Sequence, residues 1–415
     1  MITPTEFPYI TSIHVNDCYT YQNFDIDLVK HQPFSHLILT GKNGSGKSTI
    51  LKHIDNFIYQ TQLNVKRENA ADKVLVTKIV EVNKAIERKD LYHADLIKMS
   101  VEEHYKNEYK KISIKFSQEI LPFFFKLKNT FYSFLLPYRN SKEIDDVNAP
   151  INQEKFEKEL EDNSSSNFFI KSFKQFLVNK KVNQAFALLD NNKEEIEKIG
   201  VFFRNIEEIF GNIFEDNQLR LTFDKDNYEF FIELSDGRKL TFNILPDGFS
   251  AFLSILMDLF TRLDLIRKSV GNFTYDPCGI VLIDEPETHL HLSLQYQVLP
   301  ILTKLFPNVQ FIVATHSPAV ISSIKNVTVF DLTSKEIMSD EAVGKSFSEL
   351  MVSHFGLDNE FSSITDEIFD EFNTVLKETR NDIDLRKEKL KQLMRKHDQY
   401  ISPTMRFELE AKLSE

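Results

Sequence analysis

Apolar and polar residues alternate at the start of the chain. "YITSIHV" from Tyr9 and "FDIDLV" from Phe24 both carry the period-two spacing of half-buried strands. "HLILT" from His36 predicts a third strand and runs directly into a glycine-rich loop. Beyond it, "STILKHIDNFIYQ" switches to helical spacing, with Ile50, Leu51, Ile54 and Ile58 on one face. Residues from about 63 to 110 are charged, lack glycine and keep a helical pattern, which predicts a helical insertion. A strand "ISIKFS" and an aromatic run ending in "LLPYRNSK" follow. The segment from about 141 to 215 is Lys/Glu/Asn-rich and reads as a second helical insertion, with "EDNSSSN" as its loop.

"LRLTFDKDNYEFFIELSDGRKLTF" predicts three strands that turn at Asp226-Asn227 and Asp236-Gly237. From Leu245, "LPDGFSAFLSILMDLF" predicts a tight turn and an amphipathic helix with a stripe of Phe252, Leu253, Leu256, Leu259, Phe260 and Leu263. "GIVLID" and "QFIVAT" are continuous apolar runs of the buried-strand type, separated by a helix expected from about Leu292 to Leu305. After the strand "VTVFDL" the remaining residues are charged and helical in pattern. No repeat is evident, and the pattern is that of an α/β scaffold with two insertions.

Composition narrows the class. The chain has 415 residues and 42% hydrophobic content, ample for a large core, and its 37 Phe predict aromatic-rich packing. A net charge of −12 argues against a surface built throughout to hold DNA, while leaving a local basic groove open. Cys18 and Cys278 form no disulfide framework or metal-ligand spacing, as expected in a reducing cytoplasm. The start "MITPTEFPYITSIHV" lacks the features of a secretory signal, and "LPFFFKLKNTFYSFLLPY" is too short and interrupted to span a bilayer. A soluble, cytoplasmic protein without membrane contact is expected.

The strongest motif is "GKNGSGKST", which fits G-x-x-x-x-G-K-[ST] from Gly41 to Ser48 between a strand and a helix. Gly41, Gly44 and Gly46 let the backbone curl with its N–H groups inward, and the next helix points its positive end at a phosphate. Lys42, Asn43 and Ser45 complete the cradle, Lys47 would bridge the β- and γ-phosphates of ATP, and Thr49 would assist at the α-phosphate. The Ser48 hydroxyl would ligate Mg²⁺.

"GIVLIDEPETHLH" places Asp284 and Glu285 at a strand's C-terminal end, where a parallel sheet presents them to ligand. Asp284 is a second candidate for the Mg²⁺ shell, and Glu285 is placed to polarise an attacking water. "NVQFIVATHSP" repeats the design, exposing His316 before the turn-forming Ser317-Pro318, from where it could report on the γ-phosphate. His289 and His291 lack zinc-type spacing and read as loop residues at a subunit contact.

Together these segments resemble the ATP-binding-cassette class of P-loop ATPases. Within it they resemble the SMC-like branch and, most of all, the OLD-type ATPases of bacterial anti-phage systems, which include Septu, PARIS and retron-associated members. "LIDEPETHLHLSLQ", "ATHSPAVISSI" and "GKSFSELMVSHFGL" carry that resemblance, over roughly residues 5–62, 110–140 and 217–360. It implies an α/β ATPase head with a mixed central sheet, a β-rich N-terminal lobe, helical insertions and a helical C-terminal tail. It also implies Walker A at Gly41–Ser48, Walker B at Ile280–Asp284, a catalytic Glu285, a D-loop near Pro286–Leu292 and a switch at His316. An ATPase domain is expected over 1–335, with a helical region over 336–415 for docking or oligomerisation. OLD nucleases add a metal-dependent Toprim domain, but no D-x-D strand end follows His316 here, so any nuclease is expected on a separate protein. Gln60 and Gln118 are both open as the Q-loop residue, and Arg139 stands where relatives often carry arginine.

In the class, a Leu-Ser-Gly-Gly-Gln segment binds the γ-phosphate held by a second subunit, so that ATP joins two heads. Leu245, Pro246, Asp247, Gly248 and Phe249 occupy that place here. Pro246 has neither hydroxyl nor N–H, and Asp247 either caps the helix or repels phosphate. Gly248 keeps a close backbone approach, and Ser250 is a candidate replacement hydroxyl. The expectation is a slow, regulatory ATPase that forms a homodimer or higher oligomer around ATP and controls a separate HNH- or Toprim-type nuclease. Two alternatives are a RecF-like ATPase clamping DNA and a nucleotide sensor with negligible hydrolysis.

Overall fold

The computed structural model describes residues 2–18, 21–28, 31–58, 111–118, 130–137, 144–152, 155–156, 166–272, 274–338, 349–351, 363–379 and 383–414. The expected insertion at about 63–110, Gln60, Arg139 and most of "GKSFSELMVSHFGL" lie outside them. The chain divides into two compact units, Met1–Lys345 and Ser346–Glu415.

The first unit is built on a six-stranded sheet. Its strands are β3 (His36–Thr40), β5 (Phe131–Leu135), β9 (Gly279–Asp284), β10 (Val309–Ala314), β11 (Val327–Asp331) and β12 (Glu336–Ile337), in the order β12-β11-β3-β10-β9-β5. Every pairing from β11 to β5 is parallel, and only the edge strand β12 runs antiparallel. All residues of β3, β9, β10 and β11 are buried, which explains why their sequences are continuous apolar runs.

Helix α1 (residues 47–58) packs Ile50, Leu51, Ile54 and Ile58 into one core cluster with Leu37, Leu39, Leu282 and Ile312 of the sheet. Each such side chain contributes roughly 1.5–3 kcal/mol on burial. The N-terminal lobe is an antiparallel sheet of β1 (Ile10–Cys18), β2 (Tyr21–Asp27) and β4 (Ile112–Phe116), in the order β2-β1-β4. Alternating burial in β4, and in β2 from Phe24 to Asp27, accounts for their polar–apolar rhythm. The predicted three-strand meander is present as β6 (Arg220–Asp224), β7 (Glu229–Glu233) and β8 (Lys239–Leu240).

Helices α2 (Ser166–Leu189) and α3 (Lys193–Ile213) form a hairpin where the second insertion is expected. Asn192 caps α3 by accepting from the Glu195 amide at 3.2 Å. The hairpin joins the main unit through aromatic contacts. Phe173 of α2 and Phe210 of α3 both meet Phe242 edge-on, at 5.8 and 6.2 Å between ring centroids.

Helix α4 (Asp247–Val270) is the predicted amphipathic helix and ends at Gly271 in the left-handed conformation. Buried Asp258 anchors it by accepting from Ser133 of β5 at 2.6 Å, while Arg262 donates to the same carboxylate at 3.0 Å. The helix begins with Asp247 in its first turn and Pro246 at the N-cap, so Asp247 is not the capping residue. Its charge there still complements the helix dipole.

One expected helix is broken. In place of a continuous helix from Leu292 to Leu305 there are α5 (Leu292–Gln295) and α6 (Val298–Leu305). Pro300 has no N–H for the Tyr296 carbonyl, which suits a helix that restarts at Val298. A one-turn helix α7 (Pro318–Ile321) follows β10.

The second unit contains α8 (Ser363–Glu378), α9 (Ile383–Lys396) and α10 (Pro403–Ser414). These helices share their own core of Ile368, Phe372, Leu390, Met394, Ile401, Met405 and Leu409. No described helix is long and apolar enough to cross a membrane.

Candidate functional site

Parallel pairing brings four strand ends to one edge of the sheet. Leu39 of β3 pairs with Ala314 of β10, Ala314 pairs with Asp284 of β9, and Asp331 of β11 pairs with Thr40. The turns after β3, β9, β10 and β11 therefore begin at the same level, where ligands bind in open parallel sheets. These turns carry the glycine-rich loop, Glu285, His316 and Thr333.

The loop after β3 depends on its glycines. Gly41, Gly44 and Gly46 have φ of 135°, 77° and 80°, a region that other residues rarely enter. A Cβ on Gly41 would lie 2.9 Å from Thr333 Oγ1 and 3.0 Å from Asp331 Oδ1. Around Gly44 there is open space within 4 Å. Lys42, Asn43 and Gly44 are exposed, whereas Ser48 and Thr49 are half-buried in the first turn of α1.

Lys47 is the buried centre of the loop. Its Nζ donates to Gly41 O at 3.0 Å, Lys42 O at 3.3 Å and Ser45 Oγ at 3.3 Å, and lies 3.4 Å from His316 Nδ1. Burial pushes its pKa down to about 8, against the opposing pull of Glu285, Asp284, Glu287 and Asp331. His316 is likewise lowered, by burial first and then by Lys47, with Glu285 opposing. Neutral His316 offers Nδ1 as an acceptor to the ammonium of Lys47.

Asp284 is buried at the end of β9. Glu285 follows with φ of 48°, uncommon for a non-glycine residue, and its amide donates to Ala314 O at 2.8 Å. The Thr288 hydroxyl closes the turn on Glu285 O at 2.8 Å. Backbone bonding to β10 thus aims Glu285 beside the strand that carries His316.

The segment expected to meet a second chain, Leu245–Ser250, forms the turn into α4 and its first residues. Ser250 is only 1% exposed within its own chain. Gly248 abuts its own chain: a Cβ there would lie 2.3 Å from His289 O. Ile244 and Leu292, by contrast, are exposed, at 60% and 45%. Gln118 donates to Thr5 O from the end of β4 and so belongs to the N-terminal lobe. His289 and His291 are exposed loop residues.

Four contributors escaped the sequence reading. Glu287 Oε1 accepts from the Thr315 hydroxyl at 2.5 Å and from the His316 amide at 2.9 Å. Burial raises its pKa. Gln295 Oε1 accepts from Ser317 at 2.6 Å, and its Nε2 donates to Leu290 O at 2.9 Å. Thr333 Oγ1 accepts from the Lys42 amide at 3.0 Å, and Asp331 Oδ1 accepts from the Thr333 amide at 2.8 Å. Asp331 did leave a signal: "VTVFD" is an apolar strand ending in a carboxylate, as "GIVLID" is. Glu287 and Gln295 left none, because their partners are nearly 30 and 22 residues away.

The residues fit a nucleotide with a divalent cation. Positive-φ glycines, a helix N-terminus and a buried lysine have the chemistry that would cradle phosphate. Among the described residues no group of three or more His, Cys, Asp or Glu side chains is gathered as metal ligands. Ser48 and Asp284 offer only two side chains, which matches Mg²⁺ held mainly by phosphates and water.

A protein-family model described as "AAA domain, putative AbiEii toxin, Type IV TA system" matches residues 37–322. The chain is 25% identical over 358 residues to the "Septu protein PtuA" of Bacillus thuringiensis, covering 82% of this chain and 83% of that protein. It is 38% identical over 113 residues to the "Retron Ec83 probable ATPase" of Escherichia coli, covering 27% of this chain and 19% of that protein. It is 34% identical over 91 residues to the "Retron Vc95 probable ATPase" of Vibrio cholerae, covering 22% and 18%. The matches thus span under a fifth of each retron protein's length. Among solved structures, an SMC head bound to the C-terminal winged-helix domain of ScpA aligns with a TM-score of 0.39 at 14% identity, over 78% of this chain and 94% of that one.

Proposed function

The chain belongs to the AAA-domain family whose model it matches, and from that premise we propose that it is the ATP-binding and ATP-hydrolysing subunit of an anti-phage defence system. The observation that carries this reading is the meeting of Lys47 and His316 at 3.4 Å on the sheet edge that also holds Asp284 and Glu285. In this reading the loop amides and Lys47 bind the phosphates, and His316 senses the γ-phosphate. Glu285 orients and polarises the attacking water. Ser48 and Asp284 are the oxygens that would hold Mg²⁺, which when bound neutralises charge between the β- and γ-phosphates.

The same reading has ATP joining two copies, with the α4 N-terminus of one chain against the nucleotide of the other. Exposed Ile244 and Leu292 near that turn support a chain contact there. With Ser250 buried, the donors left to that contact are the first-turn amides of α4, a weaker set consistent with slow, regulatory turnover. The motif resemblance to anti-phage ATPases implies a separate nuclease as the controlled effector, and the 346–415 unit is the surface proposed to dock it.

The test compares Lys47→Ala with Glu285→Gln by sedimentation velocity and phosphate release. Lys47→Ala should lose ATP binding and ATP-dependent dimerisation together. Glu285→Gln should keep both while losing turnover by about 100-fold or more. Unchanged turnover in Glu285→Gln would sink the enzymatic reading and leave a nucleotide sensor.

A further inference from the structure

Glu287 bridges the two turns that carry Glu285 and His316. Both bonds fall on one oxygen: Oε1 accepts from the Thr315 hydroxyl at 2.5 Å and the His316 amide at 2.9 Å. Oε2 is buried without a hydrogen-bond partner. An unsatisfied buried carboxyl oxygen costs free energy that a small apolar side chain would avoid, so a structural explanation alone is poor. The rest of the turn is held by a second bridge. Thr315 Oγ1 accepts from the Ser317 amide at 2.9 Å, Ser317 Oγ donates to Gln295 at 2.6 Å, and Gln295 donates back to Leu290 O at 2.9 Å. On the far side of the same turn, His289 O fills the space where Gly248 would carry a Cβ. The 285–291 turn is therefore wedged between the start of α4 and the backbone of His316.

We propose that Glu287 is the positioning residue of the switch histidine: its Oε1 sets where His316 stands relative to Lys47, and it transmits displacement of the 285–291 turn to that histidine. This rests on the ATPase reading above. It also makes a specific claim about chemistry, that an acceptor oxygen is needed and the negative charge is not. Glutamine supplies that oxygen in the same place, and alanine does not.

The experiment uses the full-length chain and measures kcat and KM for ATP, the Kd of a fluorescent ATP analogue, and the melting temperature. The proteins are wild type, Glu287→Gln, Glu287→Ala, Thr315→Val and Glu285→Gln. Glu287→Gln should retain kcat within about threefold, and Glu287→Ala should lose about tenfold or more while Kd stays within about threefold. Thr315→Val, which removes one of the two donors, should fall between them and provides the answer if the alanine variant does not fold. The proposal is overturned if Glu287→Ala keeps wild-type kcat, or if the glutamine and alanine variants lose activity equally. It is also overturned if kcat, Kd and melting temperature fail together. Wild-type turnover no greater than that of Glu285→Gln would instead sink the ATPase reading itself, in a comparison that does not involve Glu287.

Discussion

Two turns of this molecule contain glycine for opposite reasons. In the loop after β3, Gly44 and Gly46 adopt φ of 77° and 80°, and Gly44 has open space around it. The requirement there is conformational, since the backbone must curl so that its amides point at one spot. At the start of α4, Gly248 is in an ordinary helix, but a Cβ would run into His289 O at 2.3 Å. The requirement there is steric and comes from the same chain. The first kind of glycine lets a loop curl; the second lets two segments of one chain touch. Gly248 is therefore a poor probe of a contact with another chain, because its replacement must first displace the 285–291 turn.

The comparison can be tested by substitution. The largest effect should come from Gly248→Leu, where backbone and side chain collide and neither can yield cheaply. A loss of about 3 kcal/mol or more is expected in denaturant unfolding, together with loss of turnover. A stability change below about 0.5 kcal/mol would show that the 285–291 turn yields freely, and the steric account would fail. Gly44→Ala should cost less, about 1–2 kcal/mol for a side chain in the left-handed region, with weaker ATP affinity but no collision. Equal melting temperatures for the two variants would erase the distinction.

A third prediction turns on charge. The Lys47 pKa lies near 8, below its unfolded value of about 10.4. Phosphate binding favours the ammonium. ATP affinity should therefore be flat below pH 8 and fall as pH rises above it, by at most about tenfold per pH unit. Lys47→Arg should abolish that dependence, as isothermal titration across pH 7 to 9.5 would reveal. The stability sign runs the other way. Between about 8 and 10.4 the unfolded chain binds more protons at this group, so its contribution to stability rises with pH.

The smallest effect is expected from Pro246→Ser. It restores a hydroxyl and an amide at the N-cap of α4, where Pro246 makes no side-chain capping bond. Turnover should rise a few-fold with stability changed by about 1 kcal/mol or less, measured by phosphate release and thermal melting. A fall in turnover would argue that Pro246 is selected for rate, not against it.

Local chemistry explains why much of this was legible in the sequence. Apolar runs of six residues rich in Ile and Val suit strands buried on both faces, so "GIVLID" and "QFIVAT" announced the parallel sheet and, at their ends, Glu285 and His316. The glycine loop announced itself because its φ values exclude most other residues. The burial of Ser250 was less legible. Its position in the helix was readable, but which face the helix buries depends on α2 and β5, brought beside it from distant parts of the chain.

What the sequence by itself determined is therefore most of the described strands and helices and the glycine-rich loop between β3 and α1, since backbone geometry and hydrophobic period act over a few residues. The tertiary structure decided which strand ends stand side by side. It set Asp331 and Thr333 against Gly41, joined Glu287 to His316 and pressed Gly248 onto His289. Hydrogen bonds and steric contacts act over a few ångströms, and the distances along the chain between these partners leave no periodic trace to read.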